Sequence, residues 1–99
     1  MKRTLTADSC VVAARDQVSS DLGGEVAILD LQGGTYYGLD TVGARVWGLI
    51  QEPRTIEAIR DILVSEYEVE PDRCESDLIA LLQSLADEGL IEARDGTST

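Results

Sequence analysis

"DLQGGTYYGLDTVGARVW", Asp30–Trp47, holds a glycine turn, a short aromatic run and the start of a helix. The stretch before it, Glu25–Leu31 (EVAILDL), is β-rich and bounded by Gly23-Gly24 and Gly33-Gly34. Such pairs can take the positive φ that tight turns demand. Glu25–Leu31 and Thr35–Leu39 are therefore predicted to form a hairpin. A third β-rich run, Cys10–Arg15 (CVVAAR), is predicted to complete a three-stranded antiparallel meander. The Glu25 run is apolar at both parities, Val26 and Ile28 against Ala27, Leu29 and Leu31, as expected of a central strand covered at least partly on each side. Thr35–Leu39 is then an edge.

After Asp40 the apolar period changes from two to between three and four. Asp40 or Thr41 is suited to cap a helix whose stripe is Val42, Val46, Trp47, Leu49 and Ile50, ending near Glu52-Pro53. Thr55 is suited to cap a second, with Glu57 in its first turn and Ile56, Ile59, Ile62, Leu63 and Tyr67 at inward spacing. All of these apolar positions are expected in the core. A third helix opens at Pro71 and closes before Gly89, a residue suited to the left-handed cap. At 100° per residue, Leu81, Cys74, Leu85, Leu78, Leu82, Ala86 and Ile79 fill an arc nearly half the circumference wide. One packing seam needs less, so the margin carrying Cys74 and Leu81 beside Asp77 and Glu88 is a candidate groove wall; burial against two neighbours is the plainer alternative. "GLIEA", Gly89–Ala93, reads as a short terminal extension. The whole is an α+β chain with a three-stranded antiparallel sheet followed by three helices, winged-helix-like in outline.

Composition narrows the function classes. The chain has 99 residues, enough for one modest core and little for an elaborate cleft. It carries 8 basic and 19 acidic residues, a net charge of −11, which repels phosphate backbones. Nucleic acid is not an expected partner. It contains no histidine, the usual general base, the usual partner of a Ser or Cys nucleophile and the commonest zinc ligand. No catalytic, cofactor-binding or metal site is therefore expected. Cys10 and Cys74, far apart in sequence, read as unpaired structural thiols. The start "MKRTLTADSCVVAARD" lacks a signal h-region and no run spans a bilayer, so the expectation is a cytoplasmic protein without a membrane partner.

The aromatic strand into "LD", the helix carrying Trp47, "TIEAI", the "EYEVEPDRCESDL" entry and the "LADEGLI" close follow one another in an order and spacing that resembles the PqqD-like family, the leader-recognition modules of ribosomally made, modified peptides (RiPPs). The resemblance covers roughly Val26 to Ile91. The chain reads as a single recognition domain over residues 1–94, with the polar stretch 95–99 expected to be a mobile tail, and the resemblance implies that it binds a precursor's leader peptide as an added strand between the third strand and the third helix. On this chain the positions are Thr35, Tyr36, Tyr37, Gly38 and Leu39, opposite Arg73, Cys74, Asp77, Leu78 and Leu81. Edge-strand chemistry permits the same thing independently, because an edge offers unpaired N–H and C=O groups to any extended peptide. Alternation sends Tyr36 and Tyr37 to opposite faces and leaves open which one flanks the cleft; Gly38 allows close backbone approach.

Relatives of this kind include freestanding proteins of lasso-peptide pathways, in which a separate cysteine peptidase of transglutaminase-like type removes the leader. The resemblance implies that this chain is the recognition half of such a pair, a monomer or a strand-mediated dimer. An alternative within the family is a PqqD-type peptide chaperone serving a radical SAM enzyme. A winged-helix DNA-binding regulator matches element order alone, since "DRCESDLIALLQSLADE" offers a single arginine among five acids. Against an acidic leader, Arg73, Arg45 and Arg15 are the candidate basic spots, and Arg73 alone sits by the expected cleft.

Overall fold

A computed structural model describes residues 5–15, 17–21, 23–34 and 36–94. The expected tail at 95–99 and Thr35 lie outside the described residues. The element order is β1 (Cys10–Ala13), β2 (Gln17–Asp21), β3 (Val26–Asp30), β4 (Tyr36–Leu39), α1 (Thr41–Leu49), β5 (Arg54–Thr55), α2 (Ile56–Tyr67), α3 (Pro71–Asp87) and β6 (Ile91–Arg94). The α+β architecture, the antiparallel meander and the three helices are as the sequence predicts.

The membership of the meander is not. Its order is β2-β3-β4, and its first strand is Gln17–Asp21 rather than Cys10–Arg15. β1 instead lies at the centre of a second antiparallel sheet, β5-β1-β6, in which Cys10 faces Thr55 on one side and Arg94 on the other. The reason is burial. Val11 is completely buried and β1 has a partner on both edges, both supplied from far along the chain. Gln17–Asp21 is an edge whose single apolar residue, Val18, faces solvent, so it carries no apolar alternation to detect. The "GLIEA" segment is correspondingly a paired strand, β6, and not an extension.

The caps follow the residues expected of them. Asp40 Oδ1 accepts from the Gly43 N–H at 2.9 Å, and Thr55 Oγ1 accepts from the Ala58 N–H at 3.2 Å. The Ile56 and Glu57 N–H groups, orphaned at the start of α2, donate to the Ser9 and Ala7 carbonyls at 2.9 and 3.0 Å. At the end of α3, Gly89 takes φ 75°, Leu90 N–H donates to the Leu85 carbonyl at 2.9 Å and Gly89 N–H donates to the Ala86 carbonyl at 3.0 Å. This Schellman closure reverses the chain into β6, with Leu90 and Ile91 buried. Among the described residues of the β3–β4 connection Gly34 alone takes positive φ, at 69°, and its N–H donates to the Asp30 carbonyl at 2.8 Å.

One core joins these parts. The inner face of the meander contributes Ile28 and Leu39, α1 contributes Val46 and Ile50, and α2 and α3 close over them with Ile59 and Leu82. α2 and α3 pack along each other, and α1 rests on β3 and β4. Two expectations of burial fail. Leu29, on the outer face of β3, and Leu31, just past its end, are exposed, whereas Ala27 on that same face is buried. Val42 and Tyr67 are also exposed; they border a cavity between helices.

Candidate functional site

β4 follows β3 in register, with Ile28 opposite Tyr37 and Leu29 opposite Tyr36. It ends the sheet order, so its second edge faces no strand among the described residues. Alternation settles the tyrosines. Tyr36 projects from the outer face and is exposed, whereas Tyr37 shares the inner face with Ile28 and packs against the core. Gly38 is exposed and Leu39 buried.

Where β4 passes through Asp40 into α1, the N-terminal turn of α1, the end of α2 and the outer margin of α3 diverge around a cavity of about 400 Å³. Arg73, Cys74, Asp77, Leu78 and Leu81, the five α3 positions expected at the cleft, all line it. Cys74 and Leu78 are buried and form its floor, while Leu81 is half-buried on the wall. The wide arc on α3 thus has two uses: Leu82 and Leu85 face the core, and the margin faces this cavity. The remaining wall comes from residues assigned to the core by periodicity, chiefly Val42, Val46, Leu63 and Tyr67, together with Val69 in the α2–α3 connection. A helix wheel marks all of these as apolar. It cannot distinguish a side chain meeting another helix from one meeting a cavity.

The β4 residues do not share this lining. Tyr36, Gly38 and Leu39 border a separate, shallow hollow of about 370 Å³, with Asp40 common to both concavities. The site is therefore an edge strand whose end opens onto an apolar cavity.

The charges near the cavity differ in how firmly they are held. Arg73 approaches Asp77 only to 4.0 Å and its side chain is 83% exposed, so its guanidinium remains available to a ligand. Arg45 is committed, its Nε and Nη2 donating to Glu66 at 2.9 and 2.8 Å. That bidentate bond tethers α1 to α2, raises the Arg45 pKa and lowers that of Glu66. Arg60 similarly joins α2 to α3, donating to Glu75 at 2.7 Å. Arg15 lies elsewhere, in a polar recess beside β1 and β6. Burial, and then the Asp77 carboxylate, push the Cys74 thiol above its usual pKa. Protonated, it presents a weakly polar, largely apolar surface at the cavity floor. Both cysteines are free, and the described residues contain no cluster of His, Cys, Asp or Glu able to hold a metal ion. None of the described helices is long and apolar enough to cross a membrane.

Comparison with known proteins places this geometry. The family model described as coenzyme PQQ synthesis protein D (PqqD) matches residues 25–91. Among solved structures, TbiB1 in complex with the TbiA(beta) leader peptide is 41% identical, covers 82% of this chain and 94% of its own, and superposes with a TM-score of 0.77. A lasso peptide synthetase B1 complexed with the leader peptide is 24% identical, over 83% of this chain and 96% of that one, with a TM-score of 0.74. The PqqD truncation of Methylobacterium extorquens PqqCD, described as a functional, stand-alone RiPP recognition element, is 21% identical over 93% and 99% of the two chains, at a TM-score of 0.77. No curated protein matches significantly.

Proposed function

This chain belongs to the PqqD family, and from that premise we propose that it binds the leader peptide of a ribosomally synthesised precursor and delivers the precursor to a separate leader peptidase of cysteine, transglutaminase-like type in lasso-peptide biosynthesis. The observation that carries the reading is the edge of β4 that faces no strand among the described residues and runs into an apolar cavity. A leader laid along Tyr36–Leu39 gains main-chain hydrogen bonds irrespective of its sequence, each worth about 0.5–1.5 kcal/mol net. Because side chains alternate along an added strand, every second one points to the helix side. An apolar leader residue entering the cavity against Leu78 and Leu81 then sets register, and Arg73 at the mouth is placed to meet a carboxylate or carbonyl. In this reading Tyr36 and Gly38 present backbone, while Tyr37 and Leu39 hold the strand against the core.

The role is recognition and not catalysis. A chain without histidine, with its cavity thiol held protonated, has no ready nucleophile and base. The leader-binding reading is supported by the 41% identity to a protein solved with a leader peptide, and the lasso reading by the family resemblance together with a fold shared with a lasso peptide synthetase B1. Service as a peptide chaperone for a radical SAM enzyme is the second reading, favoured by the family model's description. Titration of a fluorescently labelled cognate leader should give saturable binding that unlabelled leader displaces. No binding at high micromolar concentration refutes the function, and a precursor modified by a radical enzyme, with no peptidase required, shifts it to the second reading.

A further inference from the structure

The outer face of the meander is unlike an ordinary solvated sheet face. Register aligns Val18, Leu29 and Tyr36 in one row across its three strands, and these are 51%, 38% and 67% exposed. Leu31, two residues beyond Leu29, is 59% exposed. The adjacent row is Ser20, Ala27 and Gly38, all small. Against this second row lies the shallow hollow, lined by Ala27 and Gly38 with Val26 and Leu39, and bordered by Tyr36, Glu25 and Asp40. A Cβ at Gly38 would meet nothing within 4 Å, so the hollow stands open above the strand. Contiguous apolar rows of this kind mark interaction sites.

What covers the face is constrained by charge and by position. A second copy is opposed, because it would bring two chains of net charge −11 and two acidic rims together. The leader does not need it, since the β4 edge and the helix-side cavity lie on the other side of the strand. β4 nevertheless belongs to both surfaces, so whatever docks on Tyr36 and Gly38 lies directly alongside a leader bound at the β4 edge. We propose that this outer face docks the leader-processing enzyme, through an apolar patch seated on Val18, Leu29 and Tyr36 and an arginine or lysine seated in the hollow. There the cation would lie beside the Tyr36 ring and between the Glu25 and Asp40 carboxylates, a combination of cation–π and ionic attraction. The inference rests on the proposed function and adds that leader and enzyme are held at once, on different faces of one strand.

The test uses the full chain, the labelled cognate leader, the unmodified precursor and the purified peptidase that cleaves it. In a Val18→Thr/Leu29→Thr double variant, β-compatible residues remove two apolar side chains of the exposed row at little risk to the fold and leave β4, the proposed leader strand, untouched. Leader affinity should stay within about twofold, whereas precursor cleavage at subsaturating peptidase should fall about fivefold or more, as expected when apolar anchors of a docking patch are lost. Glu25→Lys should also slow cleavage and flatten its salt dependence. Unchanged cleavage in both variants overturns the proposal. So does a parallel loss of leader affinity, which would make the row part of the leader site, or a wild-type dimer that the double variant abolishes. If the wild-type chain itself fails to bind leader or to promote cleavage, the underlying function is what has failed.

Discussion

Leu81→Ala separates the cavity's role in binding from its role in folding. Leu81 is half-buried on the cavity wall in the free chain and is not among the fully buried side chains. Truncation removes three carbons, worth about 2.4 kcal/mol at ~0.8 kcal/mol each if fully withdrawn from water. Folding withdraws roughly half of that area and an occupying leader side chain the rest, so each process loses about 1.2 kcal/mol. Leader affinity should weaken about eightfold. Stability should fall by a similar energy, lowering Tm by about 5–10 °C for a domain of this size. Fluorescence anisotropy measures the first, and a thermal melt followed on Trp47, which is buried in the core, measures the second. Ile79→Ala is the control: Ile79 is partly buried on the same helix and packs against the core without lining the cavity. It should cost comparable stability and leave affinity unchanged at a temperature where both variants are folded. Equal affinity losses in the two variants, or none in Leu81→Ala, would refute the assignment of the cavity to the leader.

Two further outcomes follow from the same geometry. Cys74 should react with iodoacetamide more slowly than Cys10, which is less buried, and saturating leader should slow Cys74 further without affecting Cys10; peptide mass spectrometry reads both rates, and an unprotected Cys74 contradicts a leader in the cavity. Glu66→Gln should lower Tm at neutral pH and not in strong acid. Hydrogen bonding to Arg45 lowers the folded Glu66 pKa, so its contribution is present above the ordinary carboxylate pKa and is lost as pH falls through the lowered value. Both side chains are solvent-exposed, so high salt should narrow the difference. Melts across the acid range would detect any residual gap.

What was legible in the sequence follows from how far each signal reaches. Helix caps are local: Asp40, Thr55 and Gly89 each act within a few residues and are visible as residue type and position. The hairpin of β3 and β4 is local too, with Gly34 at its turn. β1 is different, because its partners Arg54–Thr55 and Ile91–Arg94 are distant and its alternation fits either sheet. β2 is invisible for the opposite reason, a wet edge strand in which only Val18 is apolar. On α3 the wide apolar arc marked the margin of Cys74 and Leu81 as a candidate groove wall without deciding it against burial between two neighbours, and the family resemblance pointed to the groove. The facing half of the site was not legible: Val46 and Leu63 look like core from their period, and only the divergence of α1, α2 and α3 turns them into a wall. The outer row of Val18, Leu29 and Tyr36 required the β2–β3 register, which the sequence reading lacked.

The claim on which the account turns is that the leader joins the sheet at β4. Backbone amide hydrogen exchange, resolved by residue with and without saturating leader, tests it most directly. The account predicts slowed exchange at alternate residues of Tyr36–Leu39, whose outer edge faces no strand among the described residues, with β2 unchanged at the opposite edge. Protection that appears on Gln17–Asp21 instead, or leader binding that leaves β4 exchange unaltered, would contradict it.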